Sequence, residues 1–177
     1  MKIRSAKFVK GIVKEDVLLE DNNPKYAFIG RSNVGKSSLF NALTKTKLAR
    51  ASAYAGRTQE VNLYLINDNI YFLDLPGYGF ARTSGLGRDG ISRLIEMCLF
   101  NPNNKIEKVI LLVDSNIGFT DKDSAMLQDL LENNRSVIIA ASKIDKLNQS
   151  ELHKKLSDIR SCSYGMRVLP FSSISKR

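Results

Sequence analysis

Eight consecutive residues constrain this chain more than any others: Gly30-Arg31-Ser32-Asn33-Val34-Gly35-Lys36-Ser37. They fit GxxxxGK[ST] in full. They follow Lys25–Ile29, an apolar run that reads as a buried strand, and precede Ser37–Leu43, which reads as a helix. A glycine loop in that setting can curl its N–H groups around phosphate oxygens, while the helix N-terminus adds its positive dipole end. Lys36 is then expected to reach the β- and γ-phosphates and Ser37 to offer its hydroxyl to Mg²⁺, with Ser38 beside it. The loop predicts a nucleoside triphosphate site on an α/β fold and leaves ATP and GTP both open.

The rest of the chain suits such a fold. Lys108–Val113 and Ser136–Ala141 are continuous β-branched and apolar runs, as expected of parallel strands covered on both faces. Glu60–Ile66 alternates at period two, and Ile70–Leu73 follows after Asn67-Asp68-Asn69, a hairpin signal. Arg167–Phe171 reads as a last strand. Ile91–Phe100, Thr120–Asn134 and Asn148–Arg160 carry helical periodicity, with Thr120 as an N-cap and Asn148 with Glu151 as a capping box. The pattern predicts an α/β sheet of six strands, mostly parallel with one antiparallel strand, and helices on both faces. At 177 residues the chain suits a single domain, 1–177. No apolar run approaches the ~20 residues of a membrane helix, so no membrane role is expected. Met1–Gly11 lacks a secretory apolar stretch, and Cys98 and Cys162 form no metal spacing; a reducing cytoplasm is the expected location. Charge is uneven: 27 Lys and Arg against 18 Asp and Glu give +9. Residues 1–50 hold eleven of the basic side chains and only four acidic ones. Such a field suits an anionic partner.

Three further elements bear on the base and on the chemistry. Asp74-Leu75-Pro76-Gly77 closes a strand; Asp74 can hold Mg²⁺ through water, and Gly77 can give its N–H to a γ-phosphate without steric cost. Ser142-Lys143-Ile144-Asp145 resembles the guanine-reading [NT]KxD element, with serine in place of asparagine or threonine. A carboxylate at Asp145 can accept from guanine N1–H and N2–H together, a donor pair that adenine lacks. Phe171-Ser172-Ser173 follows the last strand, where its backbone N–H groups could face guanine O6. Thr58, in Gly56-Arg57-Thr58-Gln59, has the order and spacing of a switch threonine that binds Mg²⁺. Gly77–Gly90 holds five glycines in a connection longer than usual, which marks a functional loop.

Together, GRSNVGKSSLFNAL, GRTQ, DLPGYGFA, SKID and FSS resemble the EngB/YihA family of small bacterial GTPases, from about Ala6 to Ser173. The resemblance implies a Ras-like P-loop fold and Mg²⁺-dependent binding of GTP and GDP with weak intrinsic hydrolysis. It further implies a role in assembling the large ribosomal subunit, with a family link to cell division and septation. It carries nucleotide contacts onto Gly30–Ser37, onto Gly56, Arg57, Thr58, Gln59 and Glu60, and onto Asp74, Leu75, Pro76 and Gly77. It extends them to Ser142, Lys143, Ile144 and Asp145, and to Phe171, Ser172 and Ser173. Lys36, Thr58 and Gly77 are the catalytic candidates; Ser37, Thr58 and, through water, Asp74 are the metal candidates. The expected partners are the nucleotides and a ribosomal precursor, bound by a monomer. Two departures stand out: no tryptophan follows DLPGYG, and a terminal helix usual in relatives is missing beyond Ser173, which predicts a less covered flank of the sheet.

Ras-like enzymes place a water-orienting glutamine directly after DxxG, where this chain has Tyr78. Slow turnover is expected, with help from a partner or from K⁺ at Asn33; Arg57 is a second candidate cation. A P-loop kinase, or a module that binds nucleotide without hydrolysing it, would use the same loop; the first would leave Ser142–Asp145 idle.

Overall fold

The computed structural model describes residues 2–45, 60–79 and 87–174. Its strands are β1 (Ala6–Ile12), β2 (Lys25–Gly30), β3 (Val61–Ile66), β4 (Ile70–Asp74), β5 (Ile106–Asp114), β6 (Val137–Ser142) and β7 (Arg167–Pro170). Its helices are α1 (Val17–Glu20), α2 (Lys36–Thr44), α3 (Gly87–Phe100), α4 (Asp121–Glu132) and α5 (Gln149–Ser161). The strands form one sheet in the order β1-β3-β4-β2-β5-β6-β7. Only β3 runs against its neighbours, β1 and β4.

The sheet therefore has seven strands where the sequence pattern predicts six. The extra one is β1, whose pairing register shifts between Phe8 and Lys10. That irregularity breaks the period-two alternation by which a strand is recognised. The lysines at positions 7 and 10 also suit an edge strand, where charge discourages pairing with another chain. The single antiparallel strand and the hairpin at Asn67–Asn69 are as expected.

Side chains alternate across the sheet into two cores. One face packs α1, α3, α4 and α5 over Ala27, Ile29, Leu73, Leu111, Val113, Ile139 and Ala141, with Cys98 fully buried among them. The other packs α2 over Phe28, Tyr64, Phe72, Leu112 and Ala140. Phe40 is the wedge of that second core: its ring lies 4.4 Å from Tyr64, 5.8 Å from Phe72 and 5.9 Å from Phe28. Tyr71 and Phe72 are both buried, so they serve packing.

At the amino end of β2, Lys25 is fully buried. Its ammonium uses all three protons, on Asp21 Oδ1 (2.5 Å), the Asp21 carbonyl (2.7 Å) and the Asn23 carbonyl (2.9 Å). α5 opens with the expected capping box: Asn148 Oδ1 accepts from Glu151 N–H at 2.9 Å, and Glu151 Oε2 accepts from Asn148 N–H at 3.0 Å. Among the described residues no helix is long and apolar enough to cross a membrane.

Truncating Phe40 to alanine should cost about 3–5 kcal/mol. Urea denaturation should show a lower midpoint at an unchanged slope.

Candidate nucleotide site

Parallel pairing of β4, β2, β5 and β6 brings their carboxyl ends to one edge of the sheet. The glycine loop leaves β2 there and enters α2. Gly30, the last residue of β2, has no room for a side chain: a Cβ would fall 2.8 Å from the Leu112 carbonyl oxygen and 2.9 Å from Val34 Cγ1. Gly35 caps α2 at φ +105°, a conformation that disfavours any residue with a Cβ. Asn33 also has positive φ, +63°, and is exposed on the loop. Val34 turns inward and is buried; Ser32, Ser37 and Ser38 are half-buried.

Lys36, at the start of α2, donates to Asp74 Oδ1, and both side chains are largely buried. Leu75 N–H continues the β4–β2 pairing by donating to the Phe28 carbonyl at 3.1 Å. Leu75 and Pro76 are buried, and Gly77 then passes tightly over the loop. A Cβ on Gly77 would lie 2.9 Å from Ser32 Oγ and 3.0 Å from its Cα and N. Glu60 directly precedes β3. With Asp74 it adds negative charge near Tyr64, whose phenol is pushed up to about 12, first by burial and then by those two carboxylates.

The third segment leaves β6. Ser142 is buried, and its hydroxyl is shared between the Val34 carbonyl (2.6 Å) and the Val113 carbonyl (3.1 Å). The serine that departs from the usual motif therefore still ties the two loops together. Lys143 adopts φ +59° and donates to the Asn33 carbonyl and to Asp114 Oδ2, both at 2.7 Å. Ile144 and Asp145 begin a short 3₁₀ turn, Ile144–Lys146. Asp145 Oδ1 accepts from Ser172 Oγ at 2.5 Å. Phe171 N–H donates to the Ala141 carbonyl at 2.8 Å, which anchors Phe171-Ser172-Ser173 beside β6.

So the structure brings Gly30–Ser38, Asp74–Gly77, Ser142–Asp145 and Phe171–Ser173 to one sheet edge. Gly56, Arg57, Thr58 and Gln59 lie outside the described residues. Sequence reasoning missed two carboxylates. Asp114 holds Lys143 over the phosphate loop; its signal was an acid at the carboxyl end of a buried strand. Asp123 accepts the Tyr78 hydroxyl at 2.8 Å; its signal was the spacing Thr120-x-x-Asp123 of a capping box.

Known proteins point the same way. Residues 25–143 match a family described as 50S ribosome-binding GTPase. The probable GTP-binding protein EngB of Clostridium kluyveri is 39% identical over 181 residues, spanning 100% of this chain and 91% of that protein. Among solved structures, a point variant of Aquifex aeolicus Era bound to GDP and aluminium fluoride superposes with a TM-score of 0.72 at 25% identity. The match covers 87% of this chain but only 52% of the Era chain, so this chain spans about half the length of that protein. A probable GTP-binding protein engB shares the fold, with a TM-score of 0.67 at 24% identity over 86% of this chain and 90% of that one. A glycine loop on a parallel sheet edge, tied to the Ser142–Asp145 segment and matched along its length by these relatives, identifies the chain as a member of the EngB family of GTP-binding proteins and as a GTPase.

Proposed function

We propose that the chain is a slow, Mg²⁺-dependent GTP switch. In this reading it works as a cytoplasmic monomer on a precursor of the large ribosomal subunit, with the family's link to cell division and septation. The observation that carries this reading is the direct tie between base-reading segment and phosphate loop, through Ser142 Oγ on the Val34 carbonyl and Lys143 Nζ on the Asn33 carbonyl. It favours a ligand that spans both segments.

Each residue then has a task. Asp145, oriented by Ser172, accepts from guanine N1–H and N2–H, and the backbone of Phe171–Ser173 faces O6. Gly30–Ser38 wrap the phosphates. Lys36 exchanges the Asp74 carboxylate for β- and γ-phosphate oxygens, which frees Asp74 to accept from a water. Gly77 gives its N–H to the γ-phosphate. For Thr58, with Gly56, Arg57, Gln59 and Glu60, the family resemblance implies further nucleotide contacts.

The donor set suits Mg²⁺. Ser37 and Asp74 offer oxygen only, and the described residues contain no cluster of three or more His, Cys, Asp or Glu. A small hard cation held by one or two protein oxygens, phosphates and water fits that arrangement. When bound, it neutralises charge on the β- and γ-oxygens. Ser37 would hold it directly and Asp74 through water, with Thr58 as the further hydroxyl that the family resemblance implies.

Tyr78 gives its hydroxyl to Asp123 and so orients no attacking water. Intrinsic turnover should fall below the ~10⁻² s⁻¹ of GTPases with a complete catalytic set. A partner, or K⁺ beside Asn33, would supply the missing electrostatic help. For the ribosomal partner, Lys2 and Arg4 are exposed before β1 and suit RNA phosphates, whereas Lys7 lies 3.6 Å from Asp68 and Lys10 is paired with Asp16 at 2.5 Å.

Competition against a fluorescent GDP analogue in Mg²⁺ tests the site. GTP should compete and ATP should not; Asp145→Asn should weaken GTP roughly a hundredfold or more and gain XTP. Equal competition by ATP, with no effect of Asp145→Asn, would remove the guanine reading. Phosphate release compared in KCl and NaCl should be faster in K⁺; equal rates would leave activation to a partner alone.

A further inference from the structure

Asp123 has no task in that scheme, yet its carboxylate is fully buried and joins three segments. Oδ1 accepts from the Tyr78 hydroxyl at 2.8 Å. Oδ2 accepts from Thr120 N–H at 2.9 Å and from Thr120 Oγ1 at 2.7 Å, which fixes the carboxylate on the first turn of α4. Arg31 Nε, in the glycine loop, lies 3.3 Å from the same oxygen. That Nε is buried without a hydrogen bond, so the guanidinium contributes charge rather than a directed bond.

The backbone repeats the connection. Ser32 N–H donates to the Tyr78 carbonyl at 3.4 Å, and Tyr78 N–H donates to the Gly30 carbonyl at 3.3 Å. Lys122, also on the first turn of α4, donates to the Gly79 carbonyl at 2.9 Å. Gly77 stands one residue before Tyr78, pressed on Ser32.

We propose that Asp123 and Tyr78 form a latch that holds Gly77–Gly79 against the glycine loop, the placement that a triphosphate requires and a diphosphate does not. The latch rests on the nucleotide reading above, in which Gly77 meets only the γ-phosphate. A ligand pays for every conformer that cannot bind it: apparent affinity falls by the fraction of competent protein. Holding Tyr78 holds the next residue back in the chain, so the latch keeps that fraction high for GTP and leaves GDP indifferent. Burial, then the charge of Asp123 and its hydrogen bond, push the Tyr78 phenol far above its ordinary range, so it stays a donor. The tyrosine in the glutamine position is thus a positioning residue, and Asp123 is its anchor.

Tyr78→Phe keeps the ring and removes only the hydroxyl. It should lower affinity for a non-hydrolysable GTP analogue by about tenfold, keep GDP affinity within about twofold, and barely move the melting temperature. Asp123→Asn should shift the GTP-to-GDP affinity ratio at least as far. The double variant should shift it no further than Asp123→Asn alone, because the two groups act as a unit. A ratio within about twofold of wild type in Tyr78→Phe, or additive effects in the double variant, would overturn the latch while intact GDP binding leaves the nucleotide site standing. A wild-type chain that binds no guanine nucleotide would overturn both.

Discussion

The constraint on which the site depends is the parallel placement of β2 between β4 and β5. Register pairs Phe28 with Asp74, Gly30 with Leu112, and Asp114 with Ser142. Those pairings bring the glycine loop, the DxPG segment and Ser142–Asp145 to one edge. They also make that edge a switch point, because the chain runs from β2 to β3 on one side and from β4 across β2 to β5 on the other. The alternating core enforces the register. A slip of one residue would turn Ala27 and Ile29 away from the helices of one face and Phe28 away from Phe40 on the other.

Charge at this edge is handled in pairs. Asp74 holds Lys36, Asp114 holds Lys143, and Asp123 faces Arg31. Each acid is buried, and each cation comes from a segment other than its acid's own: Lys36 and Arg31 from the glycine loop, Lys143 from the end of β6. Removing one member of such a pair strands a buried charge, so the pairs act less as sources of stability than as determinants of which loop lies where. Only the first pair must break for the proposed chemistry. The other two can persist through nucleotide exchange as fixed points.

Much of this was legible in the sequence, for identifiable reasons. The glycine loop, DxPG and SKID were readable because their chemistry demands particular residues at fixed spacing. β5 and β6 were readable because strands buried on both faces are continuously apolar. β1 was not, because a bulge between Phe8 and Lys10 erased its alternation and long-range pairing to β3 supplied what local pattern lacked. Asp114 and Asp123 escaped because an acid near a strand end or helix start usually serves the local backbone. Only the fold reveals that each also faces a cation brought from elsewhere in the chain. Tyr78 was noticed for the amide it lacks, whereas its hydroxyl is what the fold uses.

β1 has a consequence for the order in which the molecule is assembled. It precedes the other described strands in the chain, yet its partner among the described residues, β3, begins some fifty residues later and pairs with β4 on its other side. Such distant pairing carries a loop-closure cost and slows folding. At about 5–20 residues per second the unpaired edge of β1 and Ile12 wait for seconds before β3 can receive them, whereas Phe8, Val9 and Val13 stay exposed in the finished fold. The lysines at positions 7, 10 and 14 discourage pairing with another chain during that interval, and beside the still exposed Phe8, Val9 and Val13 they continue to do so on the finished edge.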